Sequence, residues 1–174
     1  MREVVVSGSR LDLCVPELHD VDPLAAMWRD PKTMRYIGSG DVWSEDEVRA
    51  RLERAIETHA RTGMTFWTVL DRATSAVVGQ GGLVPISFNG DEIELGYRLG
   101  REHWGRGYAS EIASGSVGYG FGTLGLDRLV AVTYPENAAS RRVLEKSGFV
   151  GLGMTDKYYG VPCMLYERVR GRAG

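Results

Sequence analysis

Trp104-Gly105-Arg106-Gly107-Tyr108-Ala109 joins a segment that reads as a strand, Ile93-Glu94-Leu95-Gly96-Tyr97-Arg98-Leu99, to one that can run as a helix from Tyr108 to Leu124. Two glycines and a small residue at such a junction leave several backbone N–H groups pointing out of the helix N-terminus. That arrangement is a ready cradle for phosphate. The stretch predicts a phosphorylated ligand, a cofactor in particular.

Working outward, the chain before this junction alternates as strands and amphipathic helices. Arg10-Leu11-Asp12-Leu13-Cys14-Val15 has the period of a first strand. Asp22-Pro23 suits a helix start, carrying Leu24, Met27 and Trp28 on one side and ending near Asp30-Pro31. Residues 33–43 read as irregular. Ser44-Glu45-Asp46-Glu47 is a capping box for a helix to about Arg61, with Val48, Leu52, Ala55 and Ile56 as its apolar stripe. Strands over 65–70 and 76–85 follow, then a hairpin signal at Asn89-Gly90-Asp91 leads into the strand ending at Leu99.

The helix after the junction contains Gly115, Gly118, Gly120 and Gly122, each costing about 1 kcal/mol relative to Ala. Its small face, Ala109, Ala113, Ser116 and Gly120, fits close packing on a sheet as well as it fits a ligand. Arg128 to Thr133 reads as a short buried strand. Asn137 caps a helix over 138–147 that Gly148 ends, and strands from Phe149 and over 162–169 close the chain. The order predicts one α/β (α+β) domain over residues 1–174: a mixed, largely antiparallel twisted sheet flanked by about four helices.

Composition narrows the function. The chain has 174 residues, 43% of them hydrophobic, enough for a single core. Twenty-one Lys+Arg against 23 Asp+Glu give a formal charge of -2, which argues for neither a nucleic-acid nor a membrane partner. Arg49, Arg51 and Arg54 lie among acidic residues and read as a solvated helix face. Two distant cysteines and three isolated histidines suggest neither disulfides nor a metal site. No apolar run suits a signal or a membrane span, so a cytoplasmic location is expected.

Two segments together resemble a known family. Tyr97-Arg98-Leu99 with Trp104-Gly105-Arg106-Gly107-Tyr108-Ala109 resembles the acyl-CoA-binding motif of the GNAT N-acetyltransferases. Asn137-Ala138-Ala139-Ser140-Arg141-Arg142-Val143-Leu144-Glu145-Lys146-Ser147-Gly148-Phe149 is similar to the second hallmark helix of the RimJ/RimL-like branch, which acetylates protein N-termini and assorted small amines. A lone Gly-x-Gly is a weak signal; both motifs at this separation are a strong one. Trp104 departs from the Gln or Arg the family prefers at its position.

The resemblance implies acetyl-CoA as co-substrate, without a metal, and an amine acceptor, either a small molecule or a protein N-terminus. Homodimers occur in the family. The amides from Gly105 to Ala109 would hold the pyrophosphate, and Arg98 and Arg106 could add charge, against the more ordinary alternative that each is a solvated arginine. Tyr97 to Leu99 would pair their main chain with the pantetheine arm, and a backbone amide around Leu95 to Tyr97, at a splay of the sheet, would polarise the carbonyl. Asn137 could cap its helix or reach the cofactor.

Acetyl transfer needs a base and an acid. Glu94 is the first candidate for the base, acting through water, against the alternative of an exposed carboxylate paired with Arg98. Ser140 is the candidate proton donor to the thiolate, against a simple first-turn cap. Glu92 reads as peripheral. Trp28, Tyr36, Trp43, Tyr158 and Tyr159 are candidates for the acceptor wall, and Asp30 and Asp41 could attract a cationic amine. A binding module of the same fold without turnover is the alternative function. An ATP-binding protein is remote, since no Gly-Lys-Ser/Thr motif follows the turn. Acyl size stays open.

Overall fold

Strands β1 (Val4–Ser7), β2 (Leu11–Cys14), β3 (Thr65–Asp71), β4 (Val77–Pro85), β5 (Ile93–Leu99), β6 (Arg128–Thr133), β7 (Val150–Thr155) and β8 (Cys163–Val169) form one sheet in the order β1-β2-β3-β4-β5-β6-β8-β7. They belong to a computed structural model that describes residues 1–86 and 91–171; Asn89 and Gly90 of the expected hairpin lie outside it. Every neighbouring pair is antiparallel except β5 and β6, which run parallel and register at Glu94↔Val130.

Helices α1 (Val21–Trp28) and α3 (Glu45–Thr62) bury Leu24, Trp28, Val48 and Leu52 on one side of the sheet; between them α2 (Pro31–Met34) is a single turn. Helices α4 (Tyr108–Gly118) and α5 (Ala138–Lys146) pack Ile112, Ala113, Val117 and Leu144 against Leu11, Leu83, Leu95 and Leu99 on the other. Both halves of the α3 capping box form, with Ser44 N–H donating to Glu47 Oε2 at 2.8 Å and Glu47 N–H to Ser44 Oγ at 3.2 Å. Gly63 ends that helix at φ 71°, in the left-handed region that glycine adopts without strain.

Four local expectations need correction. Val4–Ser7 is a strand, although three consecutive valines show no alternation; it is held at the sheet edge by pairing with β2. α1 begins at Val21 rather than after Asp22, because a 3₁₀ turn over Leu18–Asp20 feeds straight into it. That entry is fixed by buried Asp20, which accepts from Glu17 N–H at 2.9 Å and Thr68 Oγ1 at 2.7 Å and pairs with Arg2. The segment read as irregular from Thr33 contains the end of the α2 turn. α4 stops at Gly118 and continues to Thr123 as a π-helical turn, closed by Leu124 N–H donating to Tyr119 O at 3.0 Å.

The small face of α4 serves packing. Ala113 and Ser116 are fully buried, and a Cβ on Gly120 would come within 2.8 Å of Leu83. Glu111 fastens the same helix to the β1–β2 hairpin, accepting from Arg10 N–H at 2.7 Å, Leu11 N–H at 3.1 Å and Arg10 Nε at 2.9 Å. The helix N-terminus is thereby anchored to the β1–β2 side of the sheet.

Candidate active site

Gly105 and Gly107 both take positive φ, 71° and 77°, which is what lets the chain turn so tightly into α4. Both glycines and Arg106 are exposed, no side chain caps the helix, and its first acceptor-bonded amide is that of Glu111, donating to Gly107 O at 3.1 Å. Among the described residues the amides of residues 105–110 donate to no other group of the chain, which would suit an anion. Trp104, the departure from the family pattern, serves the structure, since its indole N–H donates to Leu99 O at 3.0 Å and ties the turn to the end of β5. Tyr108 and Ala109 turn inward. The Tyr108 hydroxyl donates to Asp71 Oδ2 at 2.7 Å, and Ala109 packs on the core. Arg106 offers its carbonyl to Arg10 Nη1 at 2.7 Å.

Beyond Glu94 and Val130 the parallel strands part. The residues that would continue the pairing, Leu95 to Arg98 on β5 and Ala131 to Thr133 on β6, line opposite walls of a cavity of about 330 Å³. Glu94, Tyr97, Asn137 and Ser140 all face it, together with Tyr36, Trp43 and Tyr159. The opened sheet and the uncapped helix lie at two ends of β5, which fits an extended thioester carrying phosphate at its far end.

Glu94 is 5% exposed, and the Tyr159 hydroxyl donates to its Oε2. Burial pushes its carboxyl up to about 7, while the Tyr159 hydrogen bond pulls the other way. The alternative of an exposed carboxylate paired with Arg98 is excluded by this environment. Two residues earlier, Glu92 accepts from Tyr158 at 2.6 Å and pairs with Arg128 at 2.8 Å and Lys157 at 3.3 Å. These hydrogen bonds, that of Tyr158 foremost, hold Glu92 down at about 2, so it stays a structural anion away from the cavity. Consecutive tyrosines of one loop thus grip Glu94 of β5 and Glu92 just before that strand. Sequence reasoning finds both tyrosines and misses the pairing, which no local signal announces.

Ser140 stands in the first turn of α5, where Asn137 Oδ1 accepts its N–H at 3.2 Å. The cap is made by Asn137, which frees the serine hydroxyl. Ser140 Oγ lies 3.0 Å from the Tyr97 hydroxyl, which also reaches Ser140 O at 3.2 Å. Burial, above all, pushes the Tyr97 phenol up to about 12, so it keeps its proton at neutral pH. Either hydroxyl of this pair can be the donor, and when Tyr97 donates to Ser140 Oγ the serine hydrogen is free to point into the cleft.

Arg98 sits on the face of β5 opposite Tyr97, against α1 and α3. Its Nε and Nη2 donate to Gln80 Oε1 at 3.2 and 2.6 Å, and its guanidinium lies 5.1 Å from the Trp28 ring and 4.5 Å from that of Trp43. The phosphate role expected for it from its closeness in sequence to the turn is not supported by this placement. Arg51 is exposed, as expected of a solvated helix face, and it also lies 3.8 Å from the Trp43 ring at the edge of the cavity. Of the expected acceptor wall, Trp28 is fully buried, whereas Tyr36, Trp43 and Tyr159 line the space. Asp30 pairs with Arg101 at 2.9 Å and Asp41 accepts from Ser39 at 2.6 Å, both away from the cavity wall. Among the described residues no His, Cys, Asp or Glu cluster could hold a metal ion, and no helix is long and apolar enough to cross a membrane.

Comparisons with known proteins agree with this fold. Residues 10–150 match the family model of the acetyltransferase (GNAT) domain. The chain is 30% identical over 163 residues to the uncharacterized N-acetyltransferase p20 of Bacillus licheniformis, covering 94% of this chain and 87% of that one. Its fold superposes with a TM-score of 0.83 on a GNAT-family acetyltransferase from Bacillus anthracis, at 25% identity, covering 99% of this chain and 100% of that one. RimL, a ribosomal L7/L12 alpha-N-protein acetyltransferase solved with coenzyme A, shares the fold at a TM-score of 0.79 and 18% identity, over 96% and 98% of the two chains. The chain belongs to the GNAT family and is an N-acetyltransferase.

Proposed function

We propose that this protein transfers an acetyl group from acetyl-CoA directly to a primary amine, on a small molecule or a protein N-terminus, with Glu94 as base and Ser140 as proton donor. The observation that carries the reading is a single buried carboxylate, Glu94, in the cleft where β5 and β6 part. The likeness to RimL at the level of fold agrees with an amine acceptor and does not name one.

The exposed amides of residues 105–109 and the N-terminus of α4 would hold the phosphates. Bound acetyl-CoA supplies an acyl thioester. Backbone N–H groups of Leu95 to Tyr97 would polarise its carbonyl, and the cleft walls would align it with the amine, a contribution of several kcal/mol. Glu94 takes the proton of the attacking amine, directly or through one water, as the N–C bond forms and the C–S bond breaks. Ser140, backed by Tyr97, returns a proton to the departing sulfur. A carboxyl held near 7 is matched to that role at neutral pH.

The test is release of free thiol from acetyl-CoA, with and without a panel of amines and N-terminal peptides, and mass identification of the acetylated product. Amine-stimulated release with a product heavier by one acetyl group is expected. Coenzyme A binding with no amine raising release above hydrolysis would favour a binding protein without turnover.

A further inference from the structure

The cavity carries positive charge that the reaction chemistry does not use. Arg98 is largely buried, and what surrounds its guanidinium is neutral: the Gln80 carboxamide and the rings of Trp28, Trp43 and Phe66, the last at 6.0 Å. Arg51 lies against the same Trp43 ring from α3. Among the described residues neither guanidinium has a carboxylate within ion-pair distance; Glu47 acts on Arg51 only from farther away. Burial first, and then the charge of Arg51, pull Arg98 down to about 9, so both remain cations at neutral pH. Arg51 is exposed, so the cost falls on Arg98, which is desolvated beside a like charge; aromatic faces compensate only part of that, and an anion joining the pair would offset the rest. Arg98 Nη1 makes no hydrogen bond among the described residues and stays available as a donor.

We propose that the acceptor is an amine that also carries an anionic oxygen group, a carboxylate or phosphate, and that Arg98 and Arg51 bind this group while Glu94 receives the amine. The proposal rests on the acetyl-transfer reading above. Its geometry adds a spacing rule. Glu94 and Arg98 lie four residues apart on one face of an extended strand, so their Cα atoms are ~13 Å apart. Gln80, the register partner of Arg98, holds the guanidinium at its own level rather than back toward Glu94. Between them the Phe66 ring covers Gly96, where a Cβ would come within 2.7 Å of it, so the linker of an acceptor would run over that ring. An acceptor must therefore place several bonds between nitrogen and anion. Free α-amino acids are too short for the site.

The experiment compares ω-amino acids from β-alanine to 6-aminohexanoate, and glycine di- and tripeptides, each beside its C-terminal amide and its glycine-length counterpart. Acids of the longer members are expected to exceed their amides by about tenfold or more in kcat/KM, the span of one charge-assisted contact. In Arg51→Gln the ratio should fall toward one, through the acceptor KM, with the acetyl-CoA KM unchanged. Arg98→Lys keeps the charge and loses the fork, and should fall between. Quenching of tryptophan fluorescence by 6-aminohexanoate, without acetyl-CoA, reads the same site independently of turnover. It should be saturable in the wild type and lost in Arg51→Gln. Amides turned over as well as acids, or Arg51→Gln and Arg98→Lys acting on the acetyl-CoA KM instead, would overturn the proposal and assign the arginines to the donor. Absence of turnover with every amine, charged or neutral, would instead count against acetyl transfer itself, and the fluorescence titration would then still decide whether the anion site exists.

Discussion

Just past the C-terminal end of β5, Gly105 and Gly107 turn an exposed loop into the N-terminus of α4 using main-chain groups alone. Along the cavity wall, Glu94, Tyr159, Arg98, Arg51 and Trp43 come from four separate segments, and every contact among them is made by a side chain. In the proposed reading, the donor end needs only backbone amides and positive φ, because it would meet the invariant phosphates of a common co-substrate. The acceptor end is individual, because specificity for one amine is written in charges, rings and a carboxylate. The two ends share β5, and Leu95 to Tyr97 is where they meet.

The largest effect expected is on the shared chemistry. Glu94→Gln should lower kcat by about 10²–10³-fold at pH 7.5, within the range for a lost general base, and leave acetyl-CoA affinity intact by calorimetry. A loss of both would show that Glu94 supports the donor end as well. Next, Gly107→Val forces a β-branched residue to φ 77°, a strain of about 1–3 kcal/mol. The acetyl-CoA KM should rise by about tenfold while the acceptor KM holds; equal changes in both would deny the separation of the two ends.

Stability offers a third way in. The carboxyl of Glu94 titrates near 7 in the folded chain against an ordinary 4.5. The folded state thus binds this proton more tightly than the unfolded one, so the contribution is fully present below about 4.5 and is lost as pH rises through 7. Glu94→Gln should therefore melt like the wild type at pH 5 and be more stable by about 1–3 kcal/mol at pH 8. An identical difference at both pH values would mean the buried charge is not the cause. The smallest effect is expected at Trp104→Phe, which removes one hydrogen bond to Leu99 O, for about 1 kcal/mol of stability and less than threefold in acetyl-CoA KM. A larger loss in KM would make the indole a ligand contact.

The same contrast explains what can be read in the sequence. Gly105, Gly107, Asn137 and the Ser44–Glu47 box act within a few residues of themselves, so their roles follow from spacing. The hallmark segments around them carry the fold class and the family. Glu94 is legible as a strand carboxylate, but its burial is not, because that depends on Tyr159, 65 residues later. Nearness in sequence to the turn points Arg98 at the phosphates, whereas strand alternation sends it to the opposite face from Tyr97. Arg51 is legible as a surface charge, but its contact with the Trp43 ring is not, because nothing local brings that ring to it. Val4–Ser7 escapes pattern reading because its pairing with β2, not its alternation, makes it a strand.

The proposed chemistry turns on Glu94, a base tuned by burial and by Tyr159. Its most direct test is the pH dependence of kcat/KM in the wild type, Glu94→Gln and Tyr159→Phe, with an acceptor whose own amine titrates above about pH 9, clear of the carboxyl. The wild-type rate should rise through a limb near 7, which Glu94→Gln abolishes. In Tyr159→Phe the limb should move to higher pH, because the hydrogen bond that favours the ionised carboxylate is gone. A limb near 7 that persists in Glu94→Gln, or stays in place in Tyr159→Phe, would contradict that role for Glu94.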